Sequence, residues 1–346
     1  MKKHYGNSVR RVSKRARWGA LVATTALALT ACGGGTSVPG AGSGSDSGSG
    51  SGAGSDLGKL RVIQSITRDL TMGGVEVAQL KGLYKGVNVE IITGQDVGQA
   101  MATGDVEIGV SAPTRVIGAI MNGLEATIVG PTIDAWDQYI LASKNLGATR
   151  VEDLKGKTFG VSSFGSAGFY AIKKMASELG WSEKDYEIVT LGDINGLTAG
   201  LKNGTIDAFA WGSFAPFQLE AEGYADLLGS VQEFVGPAPL DVIAVSNSVL
   251  KERPEAVKAF CEGVYAANTA LKDDPEDARK IFEDWGVSAA ILPAALDAGL
   301  PLLSTSSEIN DQMLSTLMEA TKLTVKGAEK LDLETMKGMY KPCSEL

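Results

Sequence analysis

The stretch that decides the fold is residues 158–179, TFGVSSFGSAGFYAIKKMASEL. It begins with Thr158 to Val161, whose β-branched and aromatic residues are typical of a buried strand. A turn rich in serine and glycine follows. The segment then becomes helical, with apolar residues recurring at i, i+3, i+4 and i+7: Ile172, Met175, Ala176 and Leu179. A strand joined to a helix by a short turn is the unit of an α/β fold.

The same alternation extends through the chain from residue 60 onward. Short runs rich in valine and isoleucine predict further strands at 60–63, 87–92, 107–110, 127–129, 187–190 and 206–210. After residues 242–245 the pattern is mainly helical. Two runs, 139–142 and 242–245, flank the second set of strands, and we interpret them as crossings between two lobes, which would form a hinge. The predicted lobes are 58–142 plus 243–346, and 143–242.

Two segments are similar at an offset of 100 residues, Gly104 to Ser111 and Gly204 to Trp211. Both read glycine, any residue, a β-branched residue, an acid and then an apolar strand. Chance similarity between two ordinary strand entries is one explanation. The other is two lobes of like design, each with ligand-binding loops at the carboxyl ends of its strands.

The first 31 residues have the pattern of a signal peptide. Residues 1–17 carry seven Lys/Arg and no acid, and residues 18–31 are an apolar run too short to span a bilayer. Cys32 follows the small residues of the cleavage site, as in a bacterial lipobox, which predicts lipidation. The alternative is an ordinary cleaved signal with an incidental cysteine. Residues 32–57 are dominated by glycine and serine and predict a flexible tether.

Composition limits the function. Without residues 1–31 the chain has 25 Lys/Arg against 41 Asp/Glu, a net charge of −16, which disfavours a nucleic-acid partner. The single histidine, His4, lies in the predicted signal peptide, so a Ser-His-Asp triad and Cys/His zinc sites are excluded from the rest. We therefore expect no catalytic residue, metal or cofactor, and no enzyme.

Cys261 and Cys343 form an even pair once Cys32 is assigned to lipidation. In an oxidising compartment they are expected to form a disulfide. The alternative is two separate small apolar side chains, because Cys261 lies on the apolar stripe of a predicted helix.

The turn after residue 161 favours binding over catalysis. The helix that follows it, with Ser163 or Ser166 as its cap, offers free backbone N–H groups and a partial positive charge to an acceptor. Gly165 allows the backbone to approach a ligand closely. A routine strand-to-helix turn with a capping serine is an equal explanation of the same residues.

Four segments resemble one family when taken in order: VAQLKGLYK (77–85), ATGDVEIG (102–109), VEDLKGKTFGV (151–161) and VLKERPEAVKAF (249–260). They resemble the extracytoplasmic substrate-binding lipoproteins of ABC importers, of the nitrate/sulfonate/taurine type related to the thiamine-pyrimidine precursor binders. The resemblance implies a two-lobe α/β fold of the type II periplasmic-binding-protein class. It also implies a small polar or heterocyclic solute, and an ABC permease with its ATPase as partners. No other apolar run reaches membrane-spanning length, so we expect the membrane to be reached through the lipid anchor only. We expect a monomer.

Loops at the strand ends supply the candidate ligand-binding residues, which are mostly neutral donors and aromatics. They are Thr67, Arg68, Gln95, Ser111, Thr114, Trp136, Ser162, Ser163, Phe164, Ser166, Asn195, Trp211 and Ser213. Arg68, the one cation among them, would clamp a sulfonate or carboxylate if it faces the cleft; otherwise it is a surface charge. Asp96, Asp193 and Asp241 favour an amine-bearing or hydrogen-bond-donating ligand instead. The alternative is that these acids are solvated, as acids in loops usually are.

Two other functions stay open at this point. One is an enzyme on the same scaffold, similar to the pyrimidine synthases that use a pyridoxal cofactor and histidine chemistry. The other is a tethered sensor lipoprotein that binds no solute.

Overall fold

The computed structural model describes residues 56–346. The predicted signal peptide, the lipidation of Cys32 and nearly all of the predicted tether lie outside these residues. Within them, none of the helices has the length and apolar character needed to cross a membrane.

The described chain forms ten strands and twelve α-helices. The strands are β1 (Gly58–Gln64), β2 (Val87–Thr93), β3 (Ile108–Ser111), β4 (Ala126–Ile133), β5 (Tyr139–Ser143), β6 (Thr158–Val161), β7 (Glu187–Thr190), β8 (Ala208–Trp211), β9 (Ala225–Ser230) and β10 (Asp241–Ser246). The helices are α1 (Gly73–Leu80), α2 (Val97–Ala102), α3 (Pro113–Met121), α4 (Ala167–Glu178), α5 (Ile194–Asn203), α6 (Ala215–Ala221), α7 (Asn247–Glu252), α8 (Pro254–Asp273), α9 (Pro275–Asp284), α10 (Leu292–Gly299), α11 (Asp311–Thr324) and α12 (Leu333–Gly338).

Two five-stranded sheets of like topology form the two lobes. The first has the order β2-β1-β3-β10-β4 and the second β7-β6-β8-β5-β9. In each sheet the first three strands are parallel and the fourth runs antiparallel to its neighbours. The predicted two-lobe α/β fold with two crossings is confirmed.

The similarity between residues 104–111 and 204–211 has a structural counterpart. Glu107 accepts the backbone N–H of Arg61 at 2.7 Å, and Asp207 accepts the backbone N–H of Thr158 at 2.9 Å. In both lobes the acid thus satisfies a backbone donor on the neighbouring parallel strand. The shared pattern therefore reflects two lobes of like design.

The crossings lie outside the strands that were predicted to make them. The chain leaves the first sheet after Ile133 and enters the second at Tyr139; it leaves the second after Ser230 and returns at Asp241. Strand β5 is therefore part of the second sheet, although the predicted boundary at residue 142 places it with the first lobe. The lobe limits stay a prediction, and the connecting segments are 134–138 and 231–240.

Most of the chain after β10 is helical, as the sequence indicates. Helix α8 buries one face against the first sheet, where Phe260 stacks on Tyr84 with ring centroids 5.4 Å apart. The structure joins Cys261 on this helix to Cys343 by a disulfide, with Cα atoms 6.4 Å apart. The covalent bond holds the carboxyl-terminal segment against the first lobe.

Candidate functional site

A cavity that we call the inner chamber lies where the two sheets face each other. Its lining comes from both lobes and includes Ser65, Asp69, Thr71, Asp137, Ser213 and Asp241. Parallel strands bring their carboxyl ends to one edge of a sheet, and β10 runs the other way, so its first residue lies at that same edge. The chamber has a volume of about 70 Å³.

A second, wider depression, the outer groove, adjoins the inner chamber. It is lined by Asp96, Val97, Ser111, Ser163, Phe164 and Asp193 and has a volume of about 670 Å³. The two spaces share Gln95, Arg115 and Ser162. These three side chains therefore stand where a solute would pass from the groove into the chamber.

The turn between β6 and α4, residues 162–166, contributes to both spaces. Ser166 Oγ accepts the backbone N–H of Phe169 at 3.2 Å, so Ser166, not Ser163, caps α4. Ser163 instead accepts a hydrogen bond from Arg115. Gly165 has φ +82°, a conformation that glycine adopts without strain.

Hydrogen bonds join the first lobe to this turn of the second. Thr114 Oγ1 donates to the carbonyl oxygen of Gly165 at 2.7 Å, and Arg115 donates to Ser163 Oγ at 2.9 Å and Ser162 Oγ at 3.2 Å. Arg115 also donates to Gln95 Oε1 at 3.0 Å. The start of α3 therefore fastens the two lobes together across the cleft.

Arg115 is the cation of the cleft, a role that the sequence had assigned to Arg68. Burial lowers the pKa of the Arg115 guanidinium, and the nearby Asp241 and Asp96 carboxylates act in the opposite direction. Its position in the first turn of a helix that begins at a strand end was the signal that could have revealed it.

Three aspartates meet in the inner chamber. Asp69, Asp137 and Asp241 are only 9%, 7% and 5% exposed. Burial raises the pKa of Asp137 and of Asp241 to about 7, and it also raises the pKa of Asp69, which hydrogen bonds from Ser213 and Thr71 oppose. Asp241, the first residue of β10, lies in the chamber and is not a solvated loop acid.

The structure brings most of the predicted ligand-binding residues to the cleft. Those at the chamber, at the groove or between the lobes are Gln95, Ser111, Thr114, Ser162, Ser163, Phe164, Ser166, Trp211 and Ser213. Their role as ligand contacts stays a prediction.

Four predicted residues lie elsewhere. Thr67 and Arg68 line a separate surface depression with Trp285. Arg68 has φ 55°, and its backbone N–H donates to Glu76, so the chain turns at this point. Trp136 is buried in the core of the second lobe, and Asn195 is exposed on α5.

Metal binding has no support in the part of the chain that the structure describes. There, no group of three or more His, Cys, Asp or Glu side chains is arranged to hold an ion. The three chamber aspartates are spaced by Ser213 and Thr71, which lie between their carboxyl groups.

A family model described as "NMT1/THI5 like" matches residues 71–278. The chain belongs to the NMT1/THI5-like family. The matched segment begins at Thr71 in the inner chamber and ends in α9, so it includes most of both sheets.

Curated relatives in this family carry names of two kinds. The 4-amino-5-hydroxymethyl-2-methylpyrimidine phosphate synthase THI13 of Saccharomyces cerevisiae is 26% identical over 228 residues, which are 60% of this chain and 66% of the yeast protein. The riboflavin-binding protein RibY of Chloroflexus aurantiacus is 25% identical over 210 residues, 58% of this chain and 59% of its own. The matches therefore span less than two thirds of either relative.

Solved structures of solute-binding proteins share the fold. The aliphatic sulphonate-binding protein SsuA of Escherichia coli superposes with a TM-score of 0.67 at 16% identity, covering 82% of this chain and 92% of SsuA. The nitrate-binding protein NrtA of Synechocystis gives a TM-score of 0.62 at 13% identity, covering 81% and 84%. The predicted resemblance to the nitrate and sulfonate binders is confirmed at the level of fold.

One expectation from the sequence is overturned by the relatives. The prediction that the chain is not an enzyme conflicts with the names of the yeast, Legionella pneumophila and Candida albicans relatives, which are pyrimidine phosphate synthases. The absence of histidine after residue 4 was therefore too narrow a criterion, since it addressed only histidine-dependent chemistry.

Proposed function

We propose that the protein is the extracytoplasmic solute-binding component of an ABC importer. The observation that carries the proposal is the polar cleft between two lobes, fastened across by Thr114 and Arg115. A solute held there would contact both lobes at once. A solute that binds the closed arrangement more tightly than the open one would favour closure. The closed, loaded protein would then be presented to a permease.

Two further observations support this function. SsuA and NrtA, which are periplasmic sulphonate-binding and nitrate-binding proteins, share the two-lobe fold. A disulfide between Cys261 and Cys343 suits an oxidising compartment outside the cytoplasm.

Arg115→Ala is expected to weaken solute binding 10- to 100-fold. The change removes charge-assisted hydrogen bonds between the lobes, each worth roughly 1.5–3 kcal/mol, and so favours the open arrangement. A thermal-shift screen of the parent protein with amines, sulfonates, carboxylates and heterocycles first identifies a solute. At 100 times its Kd a solute stabilises the parent by about 2.7 kcal/mol. Calorimetric titration of the variant then measures the loss.

Arg150→Ala is the matched control, because Arg150 is an exposed arginine that lines neither space. Small-angle scattering supplies the second measurement: the radius of gyration of the parent should fall at saturation with the solute. Two results would argue against the receptor function. One is a screen in which no solute stabilises the parent; the other is a radius of gyration that is unchanged at saturation with the solute.

We further propose that Cys32 carries a lipid that anchors the receptor to the membrane. Cys32→Ala should therefore leave the folded protein in the soluble fraction of cells that lack the permease, because the lipid is the proposed membrane attachment. Fractionation followed by immunoblotting measures this. Membrane retention equal to that of the parent contradicts the anchor.

A second candidate function is chemistry on a pyrimidine, which the names of the synthase relatives favour. Neither the inner chamber nor the outer groove is lined by a lysine or histidine among the described residues. A pyridoxal cofactor would find no lysine there for a Schiff base, so no step is assigned to it. Incubation with pyridoxal phosphate, followed by mass spectrometry for a pyrimidine product, tests this function.

A further inference from the structure

The three aspartates of the inner chamber form one continuous polar chain. Ser213 Oγ lies 3.2 Å from Asp137 Oδ2 and 2.7 Å from Asp69 Oδ1. Thr71 Oγ1 lies 3.0 Å from Asp69 Oδ1 and 2.8 Å from Asp241 Oδ2. Two hydroxyl groups therefore link three carboxyl groups, which we call the aspartate chain.

The number of available hydrogens relates the contacts of the aspartate chain to its charge. Each hydroxyl carries one hydrogen and contacts two carboxyl oxygens, so it can donate to only one of them. The second contact of each hydroxyl needs a protonated carboxyl as donor. All four contacts are hydrogen bonds only if two protons are shared among the three acids, which leaves a single negative charge.

One cation, Arg115, lines the chamber beside this arrangement. Arg115 faces Asp241 but its hydrogen bonds go to Gln95, Ser162 and Ser163. Two further titratable groups interact electrostatically with the aspartate chain. Glu76 lies near Asp69, and Tyr139 lies near Asp137. Burial raises the pKa of both Asp137 and Asp241 to about 7, in agreement with the shared protons.

Unpartnered acceptors supply an independent observation. Asp137 Oδ1 and Gln138 Oε1 are buried and have no hydrogen-bond partner, and both residues line the inner chamber with 7% exposure. A buried acceptor without a donor costs roughly 1–3 kcal/mol. A ligand that brings donors would recover that cost, whereas an anion would add further acceptors to the chamber.

We infer that the inner chamber recognises a small organic cation, whose protonated amine donates hydrogen bonds to the aspartate chain. This inference rests on the proposed solute-binding function and names its ligand class. An ammonium group has three N–H donors and no acceptor, which matches several carboxylates around one small space. A volume of about 70 Å³ limits the part that enters to a few non-hydrogen atoms.

Binding of such a cation is coupled to proton release. The positive charge favours the ionised carboxylates and so lowers their pKa from about 7. The complex then holds fewer protons than the free protein, and affinity rises as the pH rises through 7. An anion has the opposite dependence, since it binds more tightly when the acids are protonated.

Probes of matched chain length test the inference in calorimetric titrations: 1,4-diaminobutane, 4-aminobutyrate and succinate. We expect the diamine to bind, with an affinity about 10-fold higher at pH 7.5 than at pH 6.0. Its apparent enthalpy should differ between buffers of different ionisation enthalpy, which reports the released protons. Asp137→Asn and Asp241→Asn should each weaken diamine binding at least 10-fold at pH 7.5 and flatten the pH dependence.

Asp273→Asn, an exposed acid that lines neither space, is the control and should bind like the parent. Binding of succinate or ethanesulfonate without the diamine would overturn the cation inference while leaving the receptor function intact. Diamine binding that is insensitive to both asparagine variants and to pH would also overturn it. If the diamine fails to bind at all, the inference fails, and the broad solute screen decides separately on the receptor function.

Discussion

The double variant Cys261→Ala/Cys343→Ala should have a free energy of unfolding about 4 kcal/mol lower than that of the parent. The bonded cysteines are 82 residues apart in sequence. Cross-linking a loop of that length removes conformational entropy from the unfolded chain, which is worth about 4 kcal/mol. The loop includes α9 to α12, so losing the bond also frees the end of the chain from the first lobe.

Urea unfolding followed by circular dichroism measures this change. The parent protein reduced with dithiothreitol is the control, because it keeps both sulfur atoms and loses only the cross-link. Solute affinity at 25 °C should be unchanged, since neither cysteine lines the inner chamber or the outer groove. Equal urea midpoints for the oxidised and reduced parent would contradict the prediction.

Local periodicity was sufficient to predict the fold. Every predicted strand has an observed counterpart within a few residues, because the apolar runs that form buried parallel strands contrast strongly with the amphipathic helices between them. One observed strand, β9, was not predicted from the sequence. Its residues, Ala225 to Ser230, contain no β-branched side chain and include a glycine, so only pairing with β5 at the sheet edge makes them a strand.

The site was predicted less completely than the fold. The predicted residues at the ends of β3, β6 and β8 lie at the cleft, because the ends of parallel strands converge at one edge. Arg68 was misplaced, since its φ of 55° turns the chain and leaves it in another depression. No local sequence pattern predicts a positive φ at an arginine.

Asp69 and Asp137 were missed for a different reason. In sequence they are ordinary loop acids, which are usually solvated. Their burial arises from contacts across more than seventy residues, such as the hydrogen bonds from Ser213 to both. Long-range juxtaposition of this kind carries no periodic signal, so a single sequence cannot reveal it.

Gly212→Ala is expected to lower solute affinity at least 100-fold, about 2.7 kcal/mol. A Cβ atom at this position would lie 2.1 Å from Asp137 Oδ1 and 2.6 Å from its Cγ. The Asp137 carboxyl accepts the backbone N–H of Ser213 and lies 3.2 Å from its Oγ, so the collision is relieved only if the carboxyl moves into the chamber or the end of β8 shifts. Either response disrupts the aspartate chain and costs roughly 1–3 kcal/mol of stability.

Gly338→Ala makes the same chemical change where a Cβ would meet no atom within 4 Å, and it should leave affinity unchanged. Titration of both variants with the solute identified by the screen measures the difference. The double variant Gly212→Ala/Asp137→Ala separates the steric effect from the loss of a ligand-binding group. Removing the Asp137 carboxyl relieves its collision with the new methyl group, so stability should recover. Solute affinity should not recover, because the carboxyl is absent. Parent-like affinity in Gly212→Ala would mean that the solute is held elsewhere in the cleft, because no undisturbed aspartate chain can coexist with that methyl group.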